Sequence, residues 1–128
     1  MNVREWALPV YTILMQLATG TLLILWLIRT FSLKTMRGEM IDRILLRPVI
    51  LIFFTILLAL IGAHFHLSNP LLSFLAVLNV KNSWLSREIL FNILTFFTCA
   101  ALIDQLGRSV RNHPTLATAL GWLVIAFG

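Results

Sequence analysis

The sequence predicts an all-α fold, a polytopic transmembrane helix bundle with three complete helices and a truncated fourth. Three observations lead there. Hydrophobic residues fill 59% of the 128 positions and charged residues 12%, with a mean hydropathy of +0.93. An ordinary soluble domain is about 45–50% apolar and about 25% charged. Half the usual charge cannot cover a soluble globule, so a cytosolic enzyme, a disordered tail and a secreted disulfide scaffold fit poorly. The second observation is that the apolar residues gather into long runs without charge. The third is where the charge lies. Ten Lys and Arg against five Asp and Glu give +5, but the basic residues sit between apolar runs and not on one polar surface, which fits a bilayer and not nucleic acid. Cys99 is the single cysteine, so an intrachain disulfide and a Cys-rich metal or iron–sulfur site are excluded.

Each span follows from counting between charges. The first runs from Trp6 to Ile28, 23 residues, enough for about 34 Å of helix. The apolar run continues well past Ala18-Thr19-Gly20, which is too long for the about 7–15-residue core of a signal peptide. The second span runs over 48–67. Pro48 suits a first helical turn, where its missing N–H has no partner to lose, and Ser68-Asn69-Pro70 supplies the stop. The third covers 88–106 and ends at Gly107. The fourth, 115–128, is 14 residues long, against the roughly 20 that a spanning helix needs. Residues 1–128 therefore read as a single membrane domain that is the N-terminal part of a longer chain.

Orientation comes from the connections. Arg29, Lys34, Arg37, Arg43 and Arg47 precede the second span, and Arg108 and Arg111 follow the third. Arg4, Lys81 and Arg87 lie on the other side, giving seven basic residues against three. The positive-inside rule places the Arg29–Arg47 segment in the cytoplasm, with lipid headgroups, and the N-terminus outside. Trp6, Trp26 and Trp84 read as interfacial anchors.

Polar residues inside the spans are the informative ones. The first span carries Thr12, Gln16 and Thr19 or Gly20, and the third carries Glu88, Asn92, Thr95 and Cys99. Both sets have the spacing of a single helical face. A polar stripe facing lipid costs several kcal/mol, so both should face the bundle interior or a wet cavity. Hydrogen bonding between helices is a sufficient reason for Gln16, Asn92 and Thr95. Cys99 reads as a small buried hydrophobe. In the second span His66 continues the small-residue line of Thr55, Ala59 and Gly62, which allows close helix approach. His64 lies about 200° away around the helix and is given no role. His66 ends one helix and Glu88 begins the next on the same side. An imidazole beside a carboxylate there suits proton transfer. Glu88 is also what a helix dipole favours at an N-terminus, with Ser83 or Ser86 as the cap. Asp104 pairs with Arg108 at i+4. A bis-histidine haem needs two histidines at one depth on facing helices. His64 and His66 share a helix and His113 lies on the opposite side, so no haem or metal site is expected in this chain.

These residues resemble a family. Glu5-Trp6, Leu8-Pro9, Thr12, Gln16 and Gly20 resemble the opening of the dimethyl-sulfoxide reductase membrane-anchor subunits. His66-Leu67-Ser68-Asn69-Pro70, then Asn79, then Ser83-Trp84-Leu85-Ser86-Arg87-Glu88-Ile89 is similar to that family's most characteristic segment. The chain departs at Ser68, where the family usually has Gly, and in length, since members have about eight spans. The resemblance implies a respiratory complex in the bacterial inner membrane that supports anaerobic respiration. In it a molybdopterin subunit reduces an S- or N-oxide and a ferredoxin-like iron–sulfur subunit relays electrons. The anchor binds menaquinol and carries no haem. The implied quinol-binding and proton-transfer residues fall on His66 and Glu88. Ser83, Ser86, Arg87, Gln16 and Asn92 are candidates for the surroundings of that site or for contact with the partner. No catalytic or metal-holding residue is expected here, because the reduction occurs on another polypeptide. Three rival functions remain: a membrane tether that binds no quinol, a small four-helix transporter, and a haem-containing anchor, which a Soret band in the purified chain would reveal. The transporter needs a carboxylate deep in a helix, usually the first, and none lies between Trp6 and Ile28.

Overall fold

The computed structural model describes residues 3–66, 75, 77–108 and 114–128. Among them are four α-helices: α1 Val3–Ser32, α2 Gly38–His66, α3 Trp84–Gly107 and α4 Pro114–Phe127, with a short 3-10 turn at Val77–Asn79 before α3. The helices pack in a ring, α1 on α2, α2 on α3, α3 on α4 and α4 on α1. Thus α1 and α3 stand diagonally opposite. The N-terminal half of α1, the C-terminal end of α2 and the first turns of α3 share one end of the bundle, where Leu8, Tyr11, Ala63, Leu85 and Glu88 line one small cavity.

The interior is built from one residue per turn on each helix. Leu22, Trp26, Val49, Ile52, Ile56, Ala59, Cys99, Leu102, Leu106 and Val124 are buried together. More of the apolar surface faces outward. Ile13, Leu17, Ile24, Phe31, Leu51, Phe54, Leu58 and Phe97 are exposed, and only 22–28% of each long apolar stretch is buried in the bundle. A soluble bundle would show the reverse. In lipid such an exterior is solvated, and helix association depends on close packing and interhelical hydrogen bonds. Three helices, α1, α2 and α3, are long and apolar enough to cross a membrane.

The helices extend beyond the uncharged runs. Residues 29–47, expected between spans, are mostly helical, and the α1–α2 connection is only residues 33–37. It is closed by backbone bonds from Leu33 to Arg29 and from Met36 to Ser32. Pro48 accordingly lies inside α2 and not in its first turn. The reason is periodicity: Ile41, Leu45 and Val49 stay buried at i+4 while Arg43 and Arg47 take exposed positions, so charge does not interrupt the helix. Counting between charges finds the hydrocarbon-facing stretch, which is shorter than the helix.

Two further expectations are corrected. Trp26 is fully buried and so offers no ring to the lipid headgroups, whereas Trp6 and Trp84 are exposed. The Thr12–Gln16 stripe does not face inward, because Thr12 and Gln16 are exposed. The inward face of α1 is Ala7, Tyr11, Met15, Ala18, Leu22, Trp26 and Arg29. Thr12 meets its own need with a bond to the Leu8 carbonyl, which removes the drive to turn it inward. On α3, Asn92, Thr95 and Cys99 are buried as expected, while Glu88, the first residue of that stripe, is exposed at the bundle end.

Candidate functional site

Two polar clusters occupy opposite ends of the bundle. At the end holding the start of α3, the Tyr11 hydroxyl crosses the diagonal and donates to Glu88 Oε1 at 3.2 Å. Asn92 Nδ2, one turn further along α3, donates to the same Tyr11 oxygen. Spacing of i and i+4 puts Glu88 and Asn92 on one face, so a single phenol on α1 meets both. Tyr11 and Asn92 are buried and Glu88 is exposed. The trio borders a cleft of about 580 Å³, lined also by Met15, Trp84, Arg87, Phe91 and Phe127. The Phe91 and Phe127 rings lie 6.1 Å apart along it. Cavities of about 300–1,000 Å³, mostly apolar with a few placed polar groups, are the ordinary form of a small-molecule site.

The sequence-predicted residues distribute as follows. Glu88 and Asn92 come together in the cleft. Arg87 borders it too, but its guanidinium donates to the Val80 and Lys81 carbonyls at 3.0 and 3.1 Å, tying the first turn of α3 to the preceding loop. Ser83 is the N-cap residue in an extended conformation, without a side-chain capping bond. Ser86 is buried. Gln16 is exposed on α1 and does not line the cleft. His66 is the last residue of α2, three positions after Ala63. Its side chain lies outside the described residues, as do Ser68-Asn69-Pro70, Arg111 and His113. Tyr11 is the polar site residue that the sequence pattern does not single out, and the apolar walls Met15, Phe91 and Phe127 are not singled out either. Tyr11 is the chain's single tyrosine and sits on the α1 face marked by Ala7, Met15 and Ala18. A tyrosine there must bring a partner for its hydroxyl into the bundle.

At the opposite end, Arg29 is fully buried. Its Nε donates to Asp42 Oδ1 at 2.8 Å and its Nη1 to Thr118 Oγ1 at 2.6 Å, while the guanidinium lies 5.0 Å from the centre of the Trp26 ring. The Trp26 indole N–H donates to the Thr118 carbonyl at 3.1 Å. Arg29 is therefore an internal tie among α1, α2 and α4, not a headgroup contact. The other basic residues described at this end, Lys34, Arg37, Arg43, Arg47 and Arg108, are exposed. Gly121 makes the approach possible, since a Cβ there would overlap the Trp26 indole. The Asp104–Arg108 pair is present at 2.9 Å on the surface of α3.

The family model for the DMSO reductase anchor subunit (DmsC) matches residues 1–127. The chain belongs to the DMSO reductase anchor subunit family. No curated protein and no solved structure matches it. As a DMSO reductase anchor subunit, the chain is a multi-pass membrane protein associated with a catalytic molybdoenzyme complex. The Tyr11–Glu88–Asn92 cleft is then a candidate site in an anchor subunit.

Proposed function

We propose that this anchor subunit binds menaquinol in the cleft beside Glu88 and passes its electrons to an iron–sulfur subunit, which supplies a molybdopterin subunit that reduces an S- or N-oxide. The observation that carries this reading is a carboxylate held by a buried hydroxyl–amide pair at the edge of a mostly apolar cavity. The apolar walls from Met15, Phe91 and Phe127 suit a naphthoquinol ring, and Glu88 suits a hydroxyl that must lose its proton. Oxidation of one quinol to quinone releases two electrons and two protons. The electrons leave for the partner's nearest cluster, and His66 and Glu88 accept the protons and release them to the aqueous phase outside the bacterial inner membrane. The N-terminus lies on that side in this proposal, in keeping with the basic residues gathered at the other end of the bundle.

The test is titration of a quinol-analogue inhibitor into membranes carrying the complete complex. His66→Arg is expected to weaken inhibitor binding and to lower quinol-dependent turnover at least tenfold, which corresponds to about 1.4 kcal/mol. Unchanged affinity and turnover would remove His66 from the site. Quinol-dependent turnover that survived His66→Ala and Glu88→Gln together would leave the chain a tether.

A further inference from the structure

The geometry points to Tyr11 as a positioning residue that orients the Glu88 carboxylate for proton acceptance from bound quinol. This rests on the quinol reading above and adds a residue to it. A phenol has a single proton to donate, and its oxygen can accept in return. Here the acceptor side of Tyr11 is taken by the Asn92 amide N–H, which can only donate. The Tyr11 proton is thereby directed to Glu88 Oε1. One carboxylate oxygen is thus held from across the bundle, on a residue that lines the cleft. The side chain that does this is on α1, diagonally opposite α3, so Glu88 is aimed by a helix other than its own. Without the phenol, an exposed glutamate at the start of a helix samples several rotamers.

The Tyr11–Glu88 bond is long for an O–H···O contact, 3.2 Å against a usual 2.5–3.0 Å, and Glu88 is partly in solvent. Its loss should therefore lie at the low end for a bond to a charged group. Tyr11→Phe, which keeps the ring and its packing, is expected to lower quinol-dependent kcat about tenfold.

The experiment uses membranes with the complete reductase complex and a reduced short-chain naphthoquinol as donor. Rates are divided by the turnover of the same membranes with a viologen dye, which delivers electrons without the anchor. Four proteins are compared: wild type, Tyr11→Phe, Glu88→Gln and the double variant. If Tyr11 acts through Glu88, Tyr11→Phe lowers kcat in the wild-type background and adds nothing once Glu88 is Gln. A general packing role would multiply in both backgrounds, and that result overturns the proposal, as does an unchanged rate in Tyr11→Phe. Asn92→Leu breaks the same chain while keeping Tyr11, and its smaller loss should also vanish in the Glu88→Gln background. It gives a second measurement if Tyr11→Phe fails to assemble. A Glu88→Gln variant with full quinol turnover would overturn the quinol reading itself, a result distinct from failure of the Tyr11 coupling alone.

Discussion

Replacing Asp42 with Asn removes a negative charge from beside a guanidinium that has no exposed surface. The two side chains are 0% and 10% exposed and meet at 2.8 Å. Opposite charges about 4 Å apart attract by about 4 kcal/mol at an effective dielectric near 20. Removing one partner of a buried pair costs about 3–5 kcal/mol, because the remaining charge is left uncompensated. Arg29 already has one terminal nitrogen, Nη2, without a partner among the described residues. It has little reserve. The molecule supplies its own control in Asp104–Arg108, which has nearly the same separation, 2.9 Å, but side chains 51% and 67% exposed. A pair of that kind is worth about 0–1 kcal/mol. Titration with a denaturing detergent, followed by helical circular dichroism, should show Asp42→Asn less stable by about 3–5 kcal/mol and Asp104→Asn by less than about 1 kcal/mol. The joint change Arg29→Met with Asp42→Leu should lose less than Asp42→Asn alone, since no charge is stranded. Equal losses for Asp42→Asn and Asp104→Asn would refute the reasoning from burial.

Two other outcomes follow from the packing and the topology. Gly121→Ala should lower stability by about 1–3 kcal/mol, the usual effect of overfilling a packed site, and should alter tryptophan fluorescence because the new methyl meets the Trp26 indole. A wild-type spectrum with unchanged stability would contradict that contact. In a Cys99→Ala background, cysteines placed at Lys34 and Lys81 should react with an impermeant maleimide from opposite sides of the membrane, since one follows α1 and the other precedes α3. Labelling of both from one side would rule out the three-span topology.

How much of this is visible in the sequence depends on which physical signal a residue carries. The spans are legible because an uncharged apolar run of roughly 20 residues matches the thickness of a bilayer's hydrocarbon core. Helix ends are not, since Arg43 and Arg47 lie on an exposed face of α2 and leave its buried repeat intact. The Glu88–Asn92–Thr95–Cys99 face is legible from spacing alone. On α1 the same rule selects Thr12 and Gln16 and misses Tyr11, one position before Thr12. Polarity marks the wrong residue there because side-chain reach decides: a threonine satisfies itself on its own helix, whereas a tyrosine hydroxyl extends beyond the backbone's reach. Arg29 reads as a surface cation for a related reason. Its partner Asp42 is 13 residues away in sequence and becomes a neighbour only when α1 and α2 fold into a hairpin. Trp26 then follows Arg29 inward, because its indole N–H and ring both serve that cluster.

Helix α1 takes part in both polar clusters, through Tyr11 near one end and Arg29 near the other. They are 18 positions apart, about 27 Å along an α-helix, close to the about 30 Å thickness of a bilayer's hydrocarbon core. A helix fastened at only one level can adjust to a thinner or thicker membrane by tilting alone. Fastened at two, α1 carries its neighbours with it, so hydrophobic mismatch tilts the bundle as a body and leaves the spacing between its ends unchanged. Lipid thickness would then reach the Glu88 cleft through its depth in the membrane while its internal geometry stayed the same.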